Sequence, residues 1–336
     1  MSDAVHTETG ILAPEAIAQA QAETRSAALI PLTAQAQAFI SAAKAPATRK
    51  AYRSDWQQFD RWCSEHGLIS LPASPETVTL YLAALAASHR PATLQRKLTS
   101  ISKAHQAAGY PSPATMQHAA VSETLKGIRR TFGTAQPGKE PLLTADILKM
   151  LDSLPESPLG LRDRALLLIG YAGGFRRSEL AAITVEDVAE TADGLIIRLP
   201  RSKTDQEGQG SSVALPYASQ AATCPVRCYR AWLENSGIAA GPVFRSIDRH
   251  GKLSEAALDS GSIARIVKRA AADAGLDPAG YAGHSLRAGF ATQAFLNGAP
   301  ELAIMRQTRH RSLATVRKYI RDRSLFRENP AAKLGL

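Results

Sequence analysis

The sequence predicts a mainly α fold in two parts, with a small antiparallel β-sheet in the second. Three observations predict it. Apolar residues recur at the helical period through the longer segments of the chain, whereas residues 195–200 and 212–216 alternate like strands. A length of 336 residues exceeds what one hydrophobic core usually holds. A break at residues 133–141, containing Gly133, Pro137, Gly138 and Pro141, reads as an interdomain linker.

Taken in order, residues 1–32 are rich in Ala, Gln, Glu and Thr and are expected to form a flexible arm. A helical domain is expected over residues 33–132. It opens with a short segment showing Phe39 and Ile40, followed by a helix with Thr48 as N-cap. That helix carries Tyr52, Trp56, Phe59, Trp62 and Cys63 at helical spacing, a stripe that reads as core in preference to a base-stacking platform. Ser74, Pro75 and Glu76 start the next helix. A third, from Ala92, turns Leu94, Leu98, Ile101 and His105 to one side, with Arg96 and Lys97 elsewhere, and a fourth carries Val121, Leu125 and Ile128. Basic residues near the helix ends, Arg49, Lys50, Arg53, Arg96 and Lys97, are candidate phosphate contacts.

The second domain is expected over residues 142–336. Thr144 should cap a helix bearing Ile147, Met150 and Leu151, and residues 161–171 are apolar enough to require burial all round. The run stops at Gly173 and Gly174, and Arg176 follows. The two strands enclose a turn with Lys203 at its near edge. Helices are expected over residues 225–235 and 262–274. The second of these offers Arg265, Lys268 and Arg269 as candidate major-groove readers, with a plain amphipathic helix as the alternative. Residues 324–336 read as a tail, either docked or frayed.

Net charge +10 and a pI near 9.7 imply an acidic partner, nucleic acid being the commonest. The charge is spread over both parts: eleven Lys/Arg face five Asp/Glu over residues 46–136, and twenty-seven face twenty-one over residues 137–336. Cys63, Cys224 and Cys228 make no disulfide framework, and the Cys224/Cys228 pair lacks a second pair of zinc ligands. No metal or cofactor is expected. Reduced thiols, no leader pattern and no apolar run of membrane length lead to the expectation of a cytoplasmic, nucleoid-associated protein.

The chemistry gathers between residues 284 and 319. His284 and Arg287, three apart at the start of a helix, share a face beside the stripe Leu286, Phe290 and Ala294. Ser312 is a candidate N-cap for a helix whose buried face is Leu313, Val316 and Ile320, which sets Tyr319 at its edge. A phenol with an ordinary pKa of about 10 is a poor nucleophile at neutral pH. Surrounding cations are expected to favour the phenolate, and guanidinium forks suit the non-bridging oxygens of a phosphodiester.

At these residues the sequence resembles the tyrosine recombinase, or lambda-integrase, family of Cre- and Xer-type enzymes. The family's first box is similar to Gly174-Phe175-Arg176-Arg177-Ser178-Glu179-Leu180 and its second to His284-Ser285-Leu286-Arg287, while His310 stands nine residues before Tyr319. Lys203 stands where the family has a lysine in a β-hairpin turn. The resemblance implies a DNA breaking-rejoining fold behind an all-helical, SAM-like core-binding domain. By the same resemblance Tyr319 attacks the scissile phosphate, Arg176 and Arg287 hold its oxygens, and His310 adds a hydrogen bond. Lys203 protonates the leaving 5′-oxygen, His284 orients or accepts the tyrosine proton, and Glu179 supports Arg176. The implied product is a 3′-phosphotyrosine, and the implied assembly is a homotetramer that passes through a Holliday junction on double-stranded recombination sites. The sequence departs from the family pattern at Ala288, at Arg309 where glycine is usual, and in the doublet Arg176-Arg177, which leaves the family arginine open by one place. A type IB topoisomerase-like nicking enzyme shares the chemistry, and a DNA-binding regulator on a retired scaffold is the reading from another class.

Overall fold

Proline sets the helix starts of the first unit. Helices α1 (Pro46–Glu65), α2 (Pro75–Leu85) and α3 (Pro91–Ala107) each have proline in the first turn, where its missing N–H costs no hydrogen bond. This is why α1 begins two residues before Thr48. Ser74 does cap α2, accepting from Thr77 N at 3.2 Å. Helix α4 (Ala119–Phe132) buries Val121, Leu125 and Ile128. The computed structural model describes residues 45–134, 138–200 and 210–324, with isolated positions outside these ranges. The expected arm, nearly all of the segment over residues 33–43, the turn holding Lys203 and nearly all of residues 325–336 therefore lie outside the described residues. The chain divides into two compact units, Met1–Gln136 and Pro137–Leu336.

The aromatic stripe of α1 is core. Phe59 and Cys63 are fully buried, and Phe59 meets Tyr81 of α2 edge-on with ring centres 5.1 Å apart. His105 is a satisfied core histidine: its Nδ1 faces Ile101 O at 2.9 Å, and its Nε2 accepts from Ala73 N at 2.9 Å. Two of the expected phosphate contacts are engaged inside this unit. Lys97 is only 2% exposed; its Nζ donates to Gln58 Oε1 at 2.7 Å and lies 3.5 Å from Asp55. Arg96 forks onto the same carboxylate at 2.8 and 3.0 Å. Asp55 is itself buried, so it draws both cations to it. By contrast Arg49, Lys50 and Arg53 are exposed near the start of α1.

In the second unit, α5 (Thr144–Asp152) is capped one residue earlier than expected, at Leu143, whose N–H donates to Asp146. The Thr144 hydroxyl pairs instead with Tyr171 Oη at 2.9 Å. The apolar helix α6 (Pro158–Ala172) runs through the main core, packed against α8 (Pro225–Ser236) and α10 (Ser285–Leu296). A short α7 (Arg177–Ala182) follows it and packs on α9 (Ser260–Asp273).

Strands β1 (Val188–Thr191), β2 (Gly194–Leu199) and β3 (Ser211–Pro216) form an antiparallel sheet in that order. Leu195 is paired with Leu215 and Ile197 with Val213, which turns all four inward, while Ile196 and Arg198 face out. A second hairpin, β4 (Arg245–Ile247) with β5 (Leu253–Ala257), escapes sequence reading because its strands are short and half exposed. The far end of the expected linker is bound to the second unit: Glu140 N donates to Gly280 O and Leu142 N to Ser285 O.

Helices α11 (Glu301–Thr308) and α12 (Leu313–Ser324) close on α10 around a separate small core of Ala291, Ile304 and Val316. No helix among the described residues is long and apolar enough to cross a membrane. Replacing Asp55 by Asn leaves Lys97 buried without its counter-charge. We expect that variant to lose about 3 kcal/mol in a denaturant titration of the first unit's transition, the usual cost of stripping one partner from a buried pair.

Candidate active site

Where α6 ends, Gly174 takes φ +53°, a conformation that favours glycine, and a side chain there would press on Thr308 and Phe290. The tight turn delivers Arg176 to the N-cap of α7. Glu179, at the third helical position, accepts from Arg176 N at 2.9 Å and from Arg176 Nη1 at 2.5 Å, so one carboxylate both caps the helix and holds the guanidinium. The arginine doublet separates here. Arg176 enters the cluster, while Arg177 is exposed and lays its aliphatic stem across Gly283.

The second box meets this turn directly. Arg287, in the first turn of α10, is completely buried and donates from Nη1 to Gly174 O at 2.6 Å. Its Nε and Nη2 are buried with no partner. Burial first, then repulsion from Arg176 and Arg309, pulls its pKa down to about 9. His284, at the N-cap of α10, places Nε2 2.6 Å from Tyr319 Oη. Tyr319 is half-buried, and its backbone carbonyl is fixed by Thr292 Oγ1 at 3.0 Å. Helix α12 is tied further by Val316 and Ile320, both buried, and by the Arg317 fork on Glu301.

His310 completes the group, with its ring centre 5.4 Å from that of Tyr319. Its Nδ1 lies 2.7 Å from Thr308 Oγ1, whose own hydrogen goes to Ile304 O at 2.6 Å. The hydroxyl can then only accept, which assigns the ring proton to Nδ1 and leaves Nε2 as a lone pair facing the site.

Five of the six expected reacting residues, Arg176, His284, Arg287, His310 and Tyr319, are thus brought together, with Glu179 behind them. Lys203 lies outside the described residues. Of the expected groove readers on α9, Arg269 binds the buried Asp163 and Arg265 is held by Asp259 and Ser262, while Lys268 is exposed.

Charge in this group differs from the expectation in one respect. Tyr319 sits above its usual pKa, because loss of water outweighs the pull of Arg287 and Arg176 toward the phenolate. Both histidines are pushed the other way, by burial first and then by the neighbouring guanidinium groups, His310 down to about 3. At neutral pH two neutral imidazoles and an un-ionised phenol therefore stand among three guanidinium cations.

Sequence reading treated Arg309 as a departure and passed over Thr308. Arg309 is left-handed, with φ +56°, which costs a non-glycine residue about 1 kcal/mol. Its buried side chain donates to Glu179 Oε2 at 2.7 Å and stacks on Phe175, 5.0 Å from the ring centre. The available signal was the end of α11, where Thr308 and Arg309 lead directly into His310.

Residues 141–324 match the phage integrase family, a span that encloses every residue of this group. The chain is 44% identical to an integrase/recombinase xerD homolog of Selenomonas ruminantium, over 89% of this chain and 88% of that protein. The chain belongs to the phage integrase family and is a site-specific tyrosine recombinase. It is also 27% identical to recombinase cre of Escherichia phage P1, over 82% of this chain and 84% of that protein. Among solved structures, its fold is similar to that of the XerH site-specific recombinase bound to palindromic difH substrate (TM-score 0.54, 19% identity, covering 77% of this chain and 70% of that one).

The fold of this recombinase keeps His310 neutral. Its pKa stands well below the unfolded value near 6.5, so the unfolded chain binds the extra proton between those limits. His310 then contributes stability that is fully present above about pH 6.5 and lost as pH falls toward about 3. We expect urea midpoints measured across that window to fall less steeply in His310→Gln than in the wild type.

Proposed function

We propose that this recombinase breaks and rejoins duplex DNA with Tyr319 as nucleophile, through a 3′-phosphotyrosine intermediate. The observation that carries the reading is the 2.6 Å contact from His284 Nε2 to Tyr319 Oη beside a buried guanidinium whose Nε and Nη2 have no hydrogen-bond partner. A buried donor without a partner is costly. In Arg287 two such groups share one charged side chain, and a phosphate oxygen matches them in charge and in fork geometry.

The roles follow from the protonation states. A phenol above its usual pKa needs a base, and a neutral His284 whose Nε2 faces Oη can take its proton as the oxygen attacks phosphorus. Arg287 and Arg176 stabilise the charge gathering on the non-bridging oxygens. His310, with its ring proton on Nδ1, can donate from Nε2 only after gaining a second proton, and the incoming anion provides the field that favours it.

The phosphorus-to-5′-oxygen bond breaks as the tyrosyl ester forms, and Lys203 is the residue assigned to protonate the departing oxygen. Attack by a 5′-hydroxyl from a second duplex reverses these steps. One phosphodiester is exchanged for another, so no nucleotide cofactor is required.

The same reading assigns double-stranded recombination sites as the substrate, with a homotetramer exchanging strands through a Holliday junction. Arg49, Lys50 and Arg53 on the first unit and Lys268 on α9 are the exposed bases best suited to phosphate or base contacts. Residues 33–132 would serve as the core-binding domain and residues 142–336 as the catalytic one.

A randomised pool of duplexes, each nicked so that the leaving strand diffuses away, tests this directly. Wild-type protein should become covalently attached to a recoverable subset. Tyr319→Phe should bind that subset and never attach, and Arg287→Gln should attach at least about 100-fold more slowly. Attachment that survives in Tyr319→Phe would refute the assignment.

A further inference from the structure

Around the site, one residue is held more elaborately than its place in a turn requires. Arg309 engages Arg176 from both of its ends. Its backbone carbonyl accepts from Arg176 Nη2 at 3.3 Å, and its guanidinium returns to Glu179 Oε2 while Arg176 takes Oε1. The ring of contacts is closed by Arg309 Nη1 on Gln307 O at 2.7 Å and by the face of Phe175. The side chain is 8% exposed, and its Nη1 and Nη2 are taken up by Gln307 O and Glu179. The next residue is His310.

We propose that Arg309 is a positioning residue for strand cleavage: it clamps the His310 turn to the Arg176 turn through Glu179 and adds a third buried cation to the phosphate site.

Two consequences make this more than packing. First, the only tie from the Arg309 side chain to a site carboxylate is the one Arg176 also uses, so the direction in which Arg176 points depends on where Arg309 sits. Secondly, among the described residues three guanidinium groups and one carboxylate surround the reaction centre, an excess of two positive charges while both histidines are neutral. A phosphodiester carries one negative charge, and the pentacoordinate species formed on attack carries two. Negative charge thus grows on attack, so each additional buried cation favours the transition state over the bound ground state. Glycine at this position would relax the backbone and leave a single excess charge.

This inference rests on the recombinase reading of the site, and the test separates the two. DNA captured by the wild type from the randomised pool serves as substrate for Arg309→Gln, Arg309→Gly and Arg309→Lys. Single-turnover attachment is followed together with equilibrium binding at fixed salt. We expect attachment to slow at least about tenfold in Arg309→Gln and Arg309→Gly, with binding changed less than about threefold. Arg309→Lys should recover much of the rate. Arg309→Gly suits the left-handed backbone, so it guards against a Gln variant that fails to fold.

A readout that separates charge from packing is the titration of the His310 ring in the DNA-free protein, compared between the neutral variants and the charged Arg309→Lys. That ring faces Arg287, Arg176, His284 and Arg309. Removing one cation should shift its nuclear magnetic resonance titration to higher pH in Arg309→Gly and leave it near the wild-type position in Arg309→Lys.

Wild-type attachment rates in both neutral variants, or equal slowing in the lysine variant, would overturn the proposal while leaving Tyr319 as nucleophile. A wild-type chain that captures no DNA would instead remove the reading of the site itself, and this inference with it.

Discussion

One carboxylate, Glu179, stands between the buried guanidinium of Arg309 and the partly buried one of Arg176, while a third, that of Arg287, is anchored by the carbonyl of Gly174. Taking three such cations out of water against a single anion is unfavourable unless the geometry is tight. The surroundings are built to that demand: the glycine turn at the end of α6, the Glu179 cap of α7 and the left-handed Arg309. The glycine at 174 brings a backbone oxygen to Arg287, and the cap brings Glu179 to Arg176. Because burial does not supply enough counter-charge, everything in the group that can become neutral does so.

That imbalance bears on the state of Tyr319. Cations nearby are often taken to ionise a phenol, yet in the absence of a phosphate the loss of water around Tyr319 dominates. At neutral pH the group therefore holds its charge on guanidinium groups, while its phenol and imidazoles are neutral. Under the proposed function, a phosphate would bring the missing negative charge and partly cancel the field that suppresses His310.

The two halves of the site also rest on different supports. Arg176, Glu179 and Arg287 sit at the edge of the large core built on α6, whose packing fixes the clamp. Tyr319 belongs to the smaller cluster of Ala291, Ile304 and Val316, held to the rest by Thr292 and by the Arg317 fork. The contact between His284 and Tyr319 bridges these supports.

Much of this was legible in the chain itself. The spacing of His284 and Arg287, the nine-residue step from His310 to Tyr319 and the glycine pair ahead of Arg176 each follow from local geometry, as do the helices that carry them. Local pattern also identified the aromatic core of α1 and the inward histidine at 105. It did not show that Lys97 and Arg96 pair with Asp55, because nothing local reveals that this residue, about forty positions earlier, is buried against them. It likewise missed the short, half-exposed β4 and β5.

The sequence by itself determined which reacting groups exist and which helix ends present them, since capping, helical period and turn residues act over a few positions. Only the tertiary structure decided which arginine of the doublet faces the phenol, that Arg309 belongs to the site, and which groups carry protons. Those outcomes depend on water excluded and charges gathered from distant parts of the chain.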